Sequence, residues 1–379
     1  MIELPMRPEG TSRYILAITR SKAKMYEYGV PLEHHIQLTH PPDILLSLAV
    51  GLLGDAAAAI ADMSTDARRE ETPPEAITFA GTYFDAYLQS RLENFAEGEF
   101  PILASACFYL ADNPGSSKVF ASQAAEPPSH LGSGLALLTY KLLRGDYTAM
   151  PDCPYTAAAD SVLTQLSGYL EGTGASEGVI DAAAAIRAEA YETGDGRELL
   201  YADISAAILR RKIAASAATI LPGASGIALE TWRPFLGRPN FPRELWPSQR
   251  RICEAGVLNG TSALIQMPTS AGKTRATELV LRSGFLSDRF SLAVIVCPFR
   301  SLCHDIRGDM AHAFAADNVT INEATDSFQS DLSIEELWVR KTILIVTPEK
   351  LLYLLRRSPE LAATSRCFAR GRALLVVRR

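Results

Sequence analysis

One stretch constrains this chain more than any other: MPTSAGKT, Met267 to Thr274. An apolar run, Ala263 to Met267, leads into it, and a helix-forming run, Arg275 to Arg282, follows it. The order predicts strand, small-residue loop and helix, with Gly272, Lys273 and Thr274 at the loop-helix junction. A phosphate chain requires that geometry: inward backbone N–H groups, a helix N-terminus behind them and one flexible cation. Thr269 and the small residues Ser270, Ala271 and Gly272 let the backbone approach the phosphates. Lys273 reaches them as a point charge, and the Thr274 hydroxyl is placed to hold Mg2+. The usual pattern, GxxxxGK[ST], has Gly where Met267 stands. A nucleoside triphosphate site is expected.

The residues beyond the loop repeat the same alternation. Leu292–Cys297, Val319–Glu323, Thr342–Thr347 and Ala373–Val377 read as strands. Helices are expected at Ser301 to Phe314 and Lys350 to Arg356. Apolar strands alternating with helices predict a parallel sheet covered on both faces, with ligands beyond the carboxyl ends of its strands.

The first part of the chain reads differently. Residues 1–43 look like an irregular lead-in, with Arg13 to Thr19 as a strand. Helical spacing starts near Pro42 and returns at residues 76–96, 101–111, 116–124, 131–144, 156–171, 177–191 and 197–218. Asp112-Asn113-Pro114-Gly115 should end the helix before it near Ala111. Small residues beside Tyr and Leu suit closely packed helical pairs, but no fixed period is present, so helical repeats and an irregular bundle both fit. Leu221 to Gly226 reads as a linker. Two domains are expected: a mostly helical 1–225 and an α/β 226–379.

Charge divides at the same place. Residues 1–225 carry a net −12 and residues 226–379 a net +6. The basic part suits phosphates, although oppositely charged solvated surfaces explain the split equally well. The apolar run from Ile44 to Met63 is rich in Ala and holds Asp55 and Asp62, so it reads as a buried helix rather than a membrane span. The N-terminus lacks a basic region followed by an apolar core, so no signal peptide and no membrane association are expected. The six cysteines form no CxxC pair, which fits a reduced, cytoplasmic protein. His34, His35 and His40 have no partners at metal spacing.

Three neighbours make the phosphate loop more specific. MPTSAGKT resembles motif I of superfamily 2 helicases. Upstream, Trp246-Pro247-Ser248-Gln249 resembles their Q motif, which implies that Gln249 reads the adenine edge. Trp232, Phe235 or Phe241 would stack on the base. Downstream, Cys297 to Leu302 resembles motif Ia and Thr347 to Lys350 resembles motif Ib. The resemblance implies that Arg300, Thr347 and Glu349 contact the sugar-phosphate backbone of DNA or RNA, and that the cofactors are ATP and Mg2+. It covers about residues 230–377, is closest to the DEAD-box-like and Ski-type groups, and implies a RecA-like P-loop sheet.

The departures limit what that implies. After motif Ib, such helicases carry an acidic pair that holds Mg2+ and positions the attacking water. Here Leu374 to Val377 is followed by Arg378 and Arg379, as in a truncated gene product. Glu323, Asp326 and Asp331 follow a different strand. The expected protein is therefore a helicase N-terminal portion that binds ATP and nucleic acid weakly and hydrolyses little. The other reading is a non-catalytic regulatory protein whose helical domain binds a protein partner. A kinase or GTPase fits less well, given the motif Ia and Ib matches and the lack of NKxD.

Overall fold

Small and apolar residues at helical spacing build the first unit. The computed structural model describes residues 10–38, 43–62, 74–90, 99–124, 134–268, 271–323, 340–357 and 374–376. Backbone contacts divide the chain into two compact units, Met1–Ala214 and Ala215–Arg379.

The described part of the first unit is helical: α1 (Gly10–Glu27), α2 (Asp43–Asp62), α3 (Pro74–Gln89), α4 (Glu99–Leu110), α5 (Pro114–Gln123), α6 (Leu135–Arg144), α7 (Thr156–Leu170), α8 (Ser176–Thr193) and α9 (Gly196–Ala215). The expected strand at Arg13–Thr19 is part of α1. Its buried residues Ile15, Thr19 and Ala23 recur every four positions, so the apolar period is helical. α4 stops at Leu110, where Asp112 takes φ 65° and Pro114 starts α5 with a nitrogen that needs no hydrogen bond. One core joins these helices, with Leu53, Ile77, Tyr83, Phe84, Ile102, Leu138 and Tyr201 fully buried. By length and composition alone, Leu45–Asp62 of α2 is long and apolar enough to cross a membrane. Its face of Leu45, Ala49, Leu52, Leu53, Ala56 and Ile60 is buried in this core.

In the second unit the expected linker at Leu221–Gly226 is instead helical, within α10 (Ala217–Ser225). Ser216 Oγ caps it by accepting the Thr219 N–H at 3.0 Å, and Gly226 closes it at φ 68°. Capping at both ends and burial of Leu221 outweigh the one backbone bond that Pro222 cannot donate. Just before α10, Leu245 N–H donates to Ala215 O and Ala217 N–H to Arg243 O. α11 (Leu229–Leu236), α12 (Pro247–Glu254) and the first half of α13 (Lys273–Leu286) share a cluster with α10 around Trp232.

The sheet follows. β1 (Leu292–Val296), β2 (Val319–Glu323), β3 (Lys341–Val346) and the short β4 (Leu374–Val376) are parallel in the order β2-β3-β1-β4. Period-two alternation covers both faces. Ala293, Ile295, Ile343 and Ile345 face α13 and α14 (Arg300–Ala313), while Leu292, Val294, Val296, Leu344 and Val346 face α15 (Pro348–Arg357). This is the expected α/β architecture behind a helical region, with one correction. Ala263–Met267 forms no strand; residues 261–266 are exposed, and Leu264 wholly so. An apolar run becomes a strand only when a neighbour takes its N–H and C=O groups, and no described strand pairs with it.

Candidate functional site

Gly272 is the pivot of the phosphate loop. It is the N-cap of α13 at φ 82°, a conformation that favours glycine. The loop therefore turns sharply into the helix, putting Lys273 at its first position and Thr274 at its second. The free N–H groups of that first turn make a positive pole for an anion. A Cβ on Gly272 would lie 2.6 Å from Gln249 Nε2, so the glycine is also a point of close approach.

That approach brings the motif around Gln249 onto the loop. Pro247 starts α12, and Gln249 Oε1 accepts the Trp246 N–H at 2.9 Å, tying the side chain back over the helix start. Ser248 Oγ donates to Ala271 O at 2.8 Å, so two successive side chains of α12 hold the loop. Gln249 is 4% exposed and is not a surface residue. Its carbonyl is committed to the cap and its amide fronts Gly272, so paired hydrogen bonds to a base require exchange of the cap bond, worth about 1 kcal/mol. Ser248 was not singled out from sequence, although it lies in the same four-residue motif. Thr269 and Ser270, expected in the loop, lie outside the described residues.

The aromatic residues expected to stack on a base have other partners. Trp232 is fully buried and donates Nε1–H to Ser225 Oγ at 3.1 Å. Phe235 and Phe241 pack on the Arg282 guanidinium, with ring centroids 4.6 and 5.7 Å from its carbon, and Phe314 lies at 4.4 Å. Arg282 itself is 3% exposed and donates to Glu278 Oε1 at 3.1 Å, Asp317 Oδ2 at 2.6 Å and Ala313 O at 3.0 Å. Arg275 donates to Glu278, and Arg238 to Asp317. These aromatics therefore enclose a buried charged network, in which Arg275–Glu278 and Glu278–Arg282 follow helical spacing and Asp317 does not.

The nucleic-acid candidates are grouped by strand register. Val296 pairs with Val346 at the carboxyl ends of β1 and β3, and Cys297 N–H donates to Val346 O at 2.8 Å. Pro298-Phe299-Arg300 and Thr347-Pro348-Glu349 then leave one sheet edge side by side. Each enters a helix, with Arg300 first in α14 and Glu349 second in α15. Arg300 and Glu349 are exposed and Thr347 is half-buried. The next strand end carries Glu323, whose Oε2 is 3.9 Å from His304 and 4.0 Å from Arg307. Burial pushes the Cys297 thiol up to about 12, with Cys303 and Glu323 adding to the shift, and burial also raises Cys303. Both therefore stay protonated as packing groups.

The catalytic carboxylates are where the sequence and the site part. Arg378, Arg379, Asp326 and Asp331 lie outside the described residues. Among those described, the Thr274 hydroxyl has a carboxylate near it: Asp309 Oδ2, at 3.4 Å. Asp309 lies 35 residues away in sequence on α14, and no motif pointed to it. The donor set, a glycine-pinched loop with a cation, a hydroxyl and a nearby carboxylate, has the hard oxygens that a magnesium nucleotide takes.

Comparison with known proteins agrees with this geometry. The family model for the DEAD/DEAH box helicase matches residues 246–373. The Hachiman protein HamB of Bacillus cereus is 26% identical over 118 residues, 31% of this chain and 10% of that protein. The ATP-dependent DNA helicase Hel308 of Caldivirga maquilingensis is 30% identical over 129 residues, 34% of this chain and 16% of that protein. The matches thus span a small share of each relative's length. Residues 246–373 are a DEAD/DEAH box helicase domain of superfamily 2, distantly homologous to those two proteins and of a family that uses ATP and binds nucleic acid.

Proposed function

We propose that residues 226–379 bind ATP with Mg2+ and grip the sugar-phosphate backbone of one nucleic-acid strand, as part of an ATP-driven helicase or translocase. The observation that carries the nucleotide half is Gly272, left-handed at the start of α13 and pinched against Gln249. The backbone cradles the phosphates, Lys273 offsets their charge and Thr274 supplies a hydroxyl to the metal. Mg2+, when bound, neutralises phosphate charge and orients the γ-phosphate. Arg300, Thr347 and Glu349 stand at the carboxyl edge of the sheet, where two helix starts favour phosphate contacts.

Transition-state stabilisation in this chemistry depends on a metal-holding acidic pair and on charge supplied from a second lobe. The acidic helical region, net −12, is proposed to carry a protein partner. A cytoplasmic setting suits the described cysteines, which are free thiols.

A fluorescent ATP analogue titrated with and without Mg2+ tests the assignment. Lys273→Ala should weaken binding by on the order of tenfold or more, the loss expected when a charge-assisted phosphate contact is removed. Unchanged affinity would refute the phosphate loop.

A further inference from the structure

Asp309 is the feature of the second unit that the helicase motifs do not absorb. It lies on α14 and is exposed, and its Oδ2 is 3.4 Å from Thr274 Oγ1. Two oxygens bound side by side to one Mg2+ lie about 3.0 Å apart, because each sits about 2.1 Å from an octahedral metal. A small rotation of an exposed carboxylate closes that difference. Among the described residues, Glu278 of α13 is unsuited, because it is 2% exposed and is held by Arg275 and Arg282. Mg2+ characteristically takes one or two carboxylates, several waters and the nucleotide phosphates. Asp309 and Thr274 supply the protein oxygens of such a set.

We propose that Asp309 is a ligand of the nucleotide-bound divalent cation, acting with the Thr274 hydroxyl. The proposal rests on the phosphate-loop reading above. It places a metal-holding carboxylate on α14, away from the strand end where family motifs put one. It also predicts a dependence of sign. Without metal, a carboxylate beside the phosphates repels them; with metal, it anchors them through the cation.

The test is the affinity of the 379-residue chain for a fluorescent ATP analogue, in Mg2+ and in EDTA, for the unsubstituted chain, Asp309→Asn and Asp305→Asn. Asp305 lies one turn earlier on α14 and is also exposed, so its substitution controls for lost surface charge. Asp309→Asn should weaken binding in Mg2+ by on the order of tenfold while leaving binding in EDTA equal or tighter, and Asp305→Asn should change neither. Mn2+ resonance in the presence of a non-hydrolysable ATP analogue should show a bound ion that Asp309→Asn releases. Tighter binding of Asp309→Asn in both Mg2+ and EDTA would overturn the proposal, since the carboxylate would then only repel phosphate. So would equal binding in both, or retention of bound Mn2+. No nucleotide binding by the unsubstituted chain would remove the phosphate-loop reading itself. Binding lost in Lys273→Ala but unaffected in Asp309→Asn would remove this inference alone.

Discussion

The two units bury charge in different ways. In the helical unit, the Arg187 cluster sits at the margin of an apolar core. Arg187 donates to Asp203 and Asp62, both at 2.7 Å, and Tyr191 OH donates to Asp203 at 2.9 Å, with the Asp62 end open to solvent. In the α/β unit the Arg282 cluster lies inside, with Arg282 3% exposed. Arg282 is held by two carboxylates and a carbonyl within a ring of three phenylalanines. The first arrangement adds pairing to a core that apolar residues already build. The second makes a charge part of the core, tying α11, α13 and α14 to one guanidinium. The Arg282 network and Lys273 share one helix, α13.

That comparison breaks first at Arg282. Arg282→Ala leaves Glu278 and Asp317 short of their central cation, so it should destabilise the second unit by about 3–5 kcal/mol in chemical denaturation. Arg282→Lys should rescue little, since an ammonium has neither the flat fork nor the stacking faces. Full rescue by Lys would mean that charge alone matters there. In the helical unit the equivalent blow is apolar. Leu138→Ala, at a fully buried position of α6, should cost about 3 kcal/mol through lost burial and a residual cavity. Intrinsic fluorescence and circular dichroism followed through denaturation should show the two substitutions acting on separate transitions. A single shared transition would contradict the division into two units.

The smallest effect is alkaline. The Cys297 thiol is raised to about 12 by burial, whereas an unfolded cysteine titrates near 8.5–9. The folded form thus holds its proton more tightly, and the stability this contributes is complete below about pH 9 and lost as pH rises towards 12. The melting temperature of the second unit should fall over that window, and Cys297→Ala should flatten the slope. An unchanged slope would mean that Cys297 carries none of the effect. Near pH 8, thiol reagents should label the half-buried Cys153 of the first unit before the buried Cys297 and Cys303.

Much of this was legible from short-range pattern. The helix ends at Leu110 and the restart at Pro114 follow from Asp-Asn-Pro-Gly, because those residues set backbone angles by themselves. β1 and β3 followed from apolar runs, and Gly272 was marked as a small residue in a loop that lets the backbone approach phosphates; its positive φ came with the structure. The errors have one source. Arg13–Thr19 and Ala263–Met267 were both read as strands, yet one is helical and the other is unpaired. A strand is a relation between two segments, so an apolar run does not announce whether a partner exists. Leu221–Gly226 erred the other way, since Pro and Gly mark a turn only when no cap and no core claim the segment.

The sequence by itself determined the class of chemistry. Lys273, Thr274 and Gly272 are adjacent, and the motifs that follow are each a few residues long, so their meaning survives without coordinates. What only the tertiary structure decided is which distant side chains serve that chemistry. It set Gln249 against Gly272, took Phe235 and Phe241 away from any base to enclose Arg282, and brought Asp309 to Thr274. Such pairings are chosen by the packing of whole helices on a sheet, and a side chain 35 residues away has no local pattern to reveal it.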